Sequence, residues 1–190
     1  MERDLLEKDL AILEKMVSSL GDYLLSAETY WEMREPDMPK LTVGGCLMRL
    51  HRLRALQDHF PPIEQQRLDK ASERFEHLLQ ESVVRFEEKT HQELRARLRE
   101  WVSYFADLSR NMLSDQGYFA DKVDARVVVT AMIDKMQTAP YHLEQHVLNE
   151  VKSLDNNLRQ RWQPGEFVWD AAWQAAYPPA KYWYLYGAPR

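Results

Sequence analysis

The chain has 190 residues, 45% of them hydrophobic and 29% charged, with a net charge of −5. That composition suits one folded domain over 1–190 and excludes intrinsic disorder; the acidic balance argues against nucleic acid as a partner, since phosphate recognition draws on clustered Lys and Arg. A single cysteine, Cys46, excludes an intrachain disulfide framework and a cysteine-based zinc site, and with no signal-like opening and no run of ~18 apolar residues the expectation is a cytoplasmic protein without a membrane span.

The first segment, about 2–33, carries the clearest periodicity. Leu6, Leu10, Leu13, Val17, Leu20, Leu24, Ala27 and Trp31 recur at steps of three and four, with Met16, Tyr23 and Tyr30 in a parallel row. The stripe stays in phase across Gly21-Asp22, so one long helix is expected. A loop at 34–41 holds Pro36 and Pro39. Thr42 has the chemistry of an N-cap for a second helix to about His59. Gly44 and Gly45 in its first turn are unfavourable for a helix and point to close approach of another helix. Pro61-Pro62 ends this helix and opens the next.

From Ile63 to about Leu113 there is no Gly or Pro. One straight helix of that length would span ~75 Å, whereas a compact chain of this size has a diameter of ~40 Å. A break is therefore expected, and Thr90 with Glu93, at capping-box spacing, places it near Lys89-Thr90. A turn around Gly117 at Ser114–Tyr118 leads into a helix from about Phe119 to Gln137. Its apolar residues cover most of the circumference, the pattern of a central helix. Ala139-Pro140 starts another helix, to about Trp162, with the stripe Leu143, Val147, Val151, Leu154 and Leu158.

The last part, 163–190, differs in kind. Pro164-Gly165 stops the preceding helix, and Phe167, Trp169, Trp173 and Tyr177 fit a short helix. The run Tyr182-Trp183-Tyr184-Leu185-Tyr186 then forms an aromatic arm that is too apolar to stand in water and so packs on the bundle or on a partner. The fold class expected is all-α: an antiparallel helical bundle of five or six helices with an aromatic-rich C-terminal arm.

Chemistry is sparsely marked. Cys46 falls on an apolar stripe and reads as buried and inert. The clusters Arg49 to Arg54 and Arg95 to Arg99 flank apolar rows and read as solvated faces. His142 and His146 stand one helical turn apart, and neutral imidazoles at that spacing can share a divalent metal. His51 on the second helix is available as a third ligand. This three-histidine set is similar in outline to that of the metal-dependent DinB-like helical bundles, which also carry one His on the second helix and an HxxxH on a later one. The resemblance covers those three positions alone. The aromatic tail and the extra helix before the HxxxH depart from the pattern. What the resemblance implies is a metal-dependent enzyme holding its ion on His51, His142 and His146.

Two other functions compete. The heptad-like seam of the first helix and the aromatic tail suggest a non-catalytic interaction or scaffold protein, partnered with another protein or with itself as a homo-oligomer. Trp169, Trp173, Tyr182, Trp183, Tyr184 and Tyr186 would then form the contact surface. The same wealth of Trp, Tyr and Met would suit a bundle that holds a small apolar or aromatic ligand.

Overall fold

A computed structural model describes residues 2–109 and 116–190. The described residues form six α-helices: α1 (Glu2–Leu25), α2 (Val43–Ala55), α3 (Pro62–Glu81), α4 (Val83–Ser109), α5 (Gln116–Met136) and α6 (Gln145–Gln160). A two-stranded antiparallel sheet, β1 (Trp162–Phe167) with β2 (Tyr186–Pro189), and short 3₁₀ turns complete the fold. The architecture is the expected all-α bundle, with its aromatic residues gathered at the C-terminal end. No helix among the described residues is long and apolar enough to cross a membrane.

The stripe of α1 is fully spent on the core: Leu6, Leu10, Leu13, Val17, Leu20 and Leu24 are all buried. The helix runs unbroken through Gly21 but stops at Leu25, well short of the expected Met33. Ser26 makes the stop. Its hydroxyl donates to the Tyr23 carbonyl at 2.8 Å and accepts from the Glu28 amide at 3.2 Å, a local bond that replaces the helical ladder. The chain then reverses, and Trp31 pairs with Leu41 through a single β-bridge. Thr42 caps α2 as expected, its Oγ1 accepting from the Gly45 amide at 2.9 Å. The helix itself ends at Ala55, and a 3₁₀ turn at Gln57–His59 carries the chain to Pro61.

The long Gly- and Pro-free segment does break, but at Ser82 and not near Lys89-Thr90. Ser82 has φ −133° and ψ 39°, outside the helical region. Thr90 stays inside α4 because its hydroxyl bonds back to the Phe86 carbonyl, one turn earlier, at 2.7 Å. Glu93, the other half of the expected capping box, caps a different helix: its carboxylate accepts from the Gly44 amide of α2 at 2.8 Å. Lys89 is buried too, bonded to the Glu28 carbonyl and set 4.6 Å over the Tyr23 ring.

α5 is the central helix, with Val123, Val127, Val128, Val129, Met132 and Met136 buried and Arg126 and Thr130 buried beside them. It starts at Gln116, earlier than expected. The expected turn at Ser114–Tyr118 therefore lies partly outside the described residues (114 and 115) and partly in the first turn of α5. α6 begins at Gln145 and not at Pro140. Two contacts hold 140–144 off the helix. Tyr141 packs on Phe86 with ring centroids 4.7 Å apart, and the His142 amide donates to Glu87 at 2.7 Å.

The tail forms an unexpected two-stranded sheet, and between its strands a 3₁₀ helix at Ala171–Ala176 falls within the short helix expected over Phe167 to Tyr177. Trp162 pairs with Pro189, Gln163 with Ala188, Pro164 with Gly187 and Phe167 with Tyr186, with an irregularity between Pro164 and Phe167. Gly187 is required at its place. Its φ is +141°, and a Cβ there would lie 2.0 Å from the Gln163 carbonyl oxygen. The 3₁₀ turns at Ala171–Ala176 and Trp183–Leu185 lay the aromatic residues back on α2 and α5.

Candidate functional site

The six aromatic residues proposed as a contact surface are largely committed within the chain. Trp173, Tyr182 and Tyr184 are buried. The Trp173 ring lies 4.2 Å from the Arg52 guanidinium. Tyr184 shares a 2.6 Å hydrogen bond with Thr130 of α5, and Arg126 covers its ring; burial pushes its phenol up to about 12. Trp169, Trp183 and Tyr186 are half-buried. The Trp169 indole donates to the Ala120 carbonyl at 3.1 Å, and Tyr186 donates to the Tyr177 carbonyl at 2.8 Å. Trp183 lies 3.8 Å below the Arg159 guanidinium.

The three histidines are not brought together. Because α6 starts at Gln145, His142 lies in the preceding loop, and the pair no longer shares one helical face. His142 is exposed, and its carbonyl receives a bond from His91. His146 is exposed on α6, beside Glu144 at 3.3 Å. His51 is held elsewhere: its Nε2 is 2.9 Å from the Ala176 carbonyl and 3.2 Å from the Tyr182 hydroxyl, with the Tyr177 and Tyr182 rings against it. Among the described residues no group of three or more His, Cys, Asp or Glu side chains is placed to hold a metal ion.

His51 does mark a site of another kind. It lines an open cleft of about 750 Å³ between α2, α3 and α5. The apolar bed is made by Leu47, Leu50 and Ala55 from α2 and Ala131 from α5, with the Ser72 and Thr138 hydroxyls beside them. The charges around it are paired: Lys135 with Glu76 at 2.6 Å, Asp134 with Lys181, and Arg54 with Asp69. A carbonyl oxygen only accepts, so the bond to Ala176 places the His51 proton on Nε2 and leaves Nδ1 as the acceptor. Burial holds the imidazole pKa below its usual value. At neutral pH the ring is therefore uncharged, with one donor committed to the tail and one lone pair to offer.

On another face of α2 the buried polar groups form an ionic network. Asp9 of α1 receives Arg52 through Nε at 2.7 Å and through Nη2, and Arg49 Nε lies 3.1 Å from the same carboxylate. Arg97 of α4 donates to Glu93 at 3.0 Å, and its Nη1 is 3.9 Å from Asp124 of α5. Asp9 and Glu93 are buried. Burial of this kind needs pairing, because an isolated charge would be far too costly in the interior. Periodicity reading passed over these groups, although a signal was present. Asp9 and Glu93 stand at inward positions of their helices, next to Leu10 and Leu94, and a charge inside an apolar stripe calls for a buried partner.

Cys46 is buried as expected, and desolvation pushes its thiol up to about 12. The cleft beside His51 is larger than the cavities of about 190 and 100 Å³ that border Arg97. Compared with known proteins, the chain matches no family model, no curated protein and no solved structure.

Proposed function

We propose that the chain is a helical-bundle binding protein that takes a small amphipathic molecule in the cleft between α2, α3 and α5. The single observation that carries this reading is the cleft itself: about 750 Å³, bedded by Leu47, Leu50, Ala55 and Ala131 and edged by a neutral His51. Clefts of roughly 300–1,000 Å³ with an apolar lining and a few oriented polar groups are typical of small-molecule sites. The apolar body of the ligand lies on the leucines and alanines, and a hydroxyl or amine N–H donates to Nδ1 of His51. The tail acts as a backing wall, because the Ala176 carbonyl and Tyr182 fix the imidazole.

The interaction reading has less to rest on. The α1 seam is buried in its own core, and the aromatic residues of the tail are packed on α2 and α5. The metal reading needs His51, His142 and His146 in one place, and they lie in three different settings.

Anilinonaphthalene sulfonate, an amphipathic fluorescent probe, tests the proposal. Saturable binding by the native chain and its loss in Ala131→Trp, which fills the cleft, is the expected result, with the far-ultraviolet dichroism and the urea unfolding midpoint of the variant close to those of the native chain. Equal binding by both proteins, or none by the native chain, would refute it.

A further inference from the structure

A second cavity, of about 190 Å³, lies on another face of α2 and is lined by Tyr30, Lys40, Thr42, Arg49, Arg97 and Asp124 together with Gly45, Met48, Val128 and Pro39. Arg49 and Arg97 bring two guanidiniums to it, each with five N–H donors. Among the described residues only two of those ten donors form hydrogen bonds: Nη1 of Arg49 to the Gly45 carbonyl at 3.1 Å, and Nε of Arg97 to Glu93. Arg49 is nine-tenths buried. Its Nε is close to Asp9 but makes no hydrogen bond, so the contact is electrostatic and poorly aligned. Asp9 is at the same time held by Arg52 on both of its oxygens. Of these guanidinium nitrogens only Arg49 Nε is buried without an acceptor, and it faces Asp9; the other unbonded ones reach solvent, and a compact oxyanion in the cavity accepts from several of them at once.

The remaining wall points the same way. Thr42 and Gly45 bring the N-terminal turn of α2 to the cavity; its Gly44 and Gly45 amides are already taken by Glu93 and Thr42, so the donors left to a ligand are side chains. The Thr42 Oγ1 accepts from the Gly45 amide, which leaves the hydroxyl proton to donate. Lys40 stands at the rim, where it also meets the exposed Glu32 at 2.8 Å. Asp124 is the one carboxylate on the lining.

We propose that this cavity is a binding site for a small oxyanion of the phosphate type, held between the Arg49 and Arg97 guanidiniums at the N-terminus of α2. It is independent of the cleft beside His51, whose lining it does not share. The site takes free inorganic phosphate or the phosphoryl end of a larger molecule entering past Lys40.

Inorganic phosphate and phenyl phosphate, each titrated calorimetrically at pH 7 against chloride at matched ionic strength, test it. The expected result is saturable binding of phosphate by the native chain, weakened about tenfold or more by Arg97→Gln and tightened by Asp124→Asn, which removes the carboxylate that competes for Arg97. Lys40→Gln, at an exposed position that leaves the fold intact, weakens binding by a smaller factor. Phenyl phosphate binding more tightly than phosphate identifies a phosphorylated molecule as the ligand, and the reverse order identifies the free ion. Absence of saturable binding by the native chain, or phosphate binding unchanged in both Asp124→Asn and Lys40→Gln, would overturn the proposal.

Discussion

Replacing Gly44 by Ala perturbs the point where α2, α4 and α5 meet. A Cβ at Gly44 would sit 2.3 Å from Val128 Cγ1 and 2.8 Å from Glu93 Oε1. Neither neighbour can retreat freely: Val128 is buried in the central helix, and Glu93 is bonded to the Gly44 amide and to Arg97. Overpacking of this kind costs about 1–3 kcal/mol, and loosening a charge-assisted bond to a buried carboxylate costs about 1.5–3 kcal/mol. The better helix propensity of Ala returns at most about 1 kcal/mol. The net is a destabilisation of roughly 2–4 kcal/mol. With a urea m-value of roughly 2 kcal/mol per molar, the unfolding midpoint followed by dichroism falls by about 1–2 M. Gly21→Ala is the control. It is the same substitution within a helix, but the new Cβ meets only Leu78 Cδ2 at an ordinary 3.8 Å. That variant gains about 0.5–1 kcal/mol from propensity alone. Adding Val128→Ala to Gly44→Ala relieves the closer clash, so the double variant is more stable than the two separate losses predict. Equal effects at Gly44 and Gly21, or a neutral Gly44→Ala, would refute this account of the helix junction.

Three further outcomes are expected. Glu93→Gln leaves Arg97 without its buried counter-charge and weakens the α2 cap, a loss of about 2–4 kcal/mol in urea unfolding; Glu93→Gln combined with Arg97→Met is less damaging than the sum of the two single changes. His51 titrates below its unfolded value because burial disfavours the imidazolium, so the unfolded chain binds more protons over that window. Stability is therefore full above about pH 6.5 and falls as pH drops below it; His51→Gln flattens this part of the pH–stability curve, and an unchanged slope would show that other groups set it. Cys46, with its thiol raised to about 12, stays unreactive toward a thiol-directed disulfide reagent at pH 8 in the native chain, and its labelling in urea follows the unfolding transition; labelling at the rate of a free thiol in buffer would contradict its burial.

The helices were legible from their apolar residues. In α1 the inward positions are apolar and a period near 3.6 survives in the residues themselves, whereas in α5 apolar residues run round most of the helix and mark it as central. Thr42 as an N-cap and Pro62 as a helix start were equally plain, because both act on backbone groups within one turn. The ends set by distant contacts were not. Thr90 and Glu93 have the spacing of a cap, yet Thr90 bonds back within α4 and Glu93 reaches Gly44, 49 positions earlier in the chain. The start of α6 slipped from Pro140 to Gln145 because Phe86 and Glu87, on α4, hold Tyr141 and the His142 amide. That shift removed the HxxxH from a common helical face.

The sequence by itself determined the all-α class, the buried cysteine, the central helix and the density of aromatics at the end of the chain. Each of these follows from residue type and local periodicity, which act over a few residues. Only the tertiary structure decided where those aromatics go, which charges are buried and where clefts open. These depend on groups far apart in the chain: Tyr184 on Thr130, His51 on Ala176, Arg52 on Asp9. A hydrogen bond or an ion pair needs its partner within about 3–4 Å, and distance in space is not encoded in spacing along the chain.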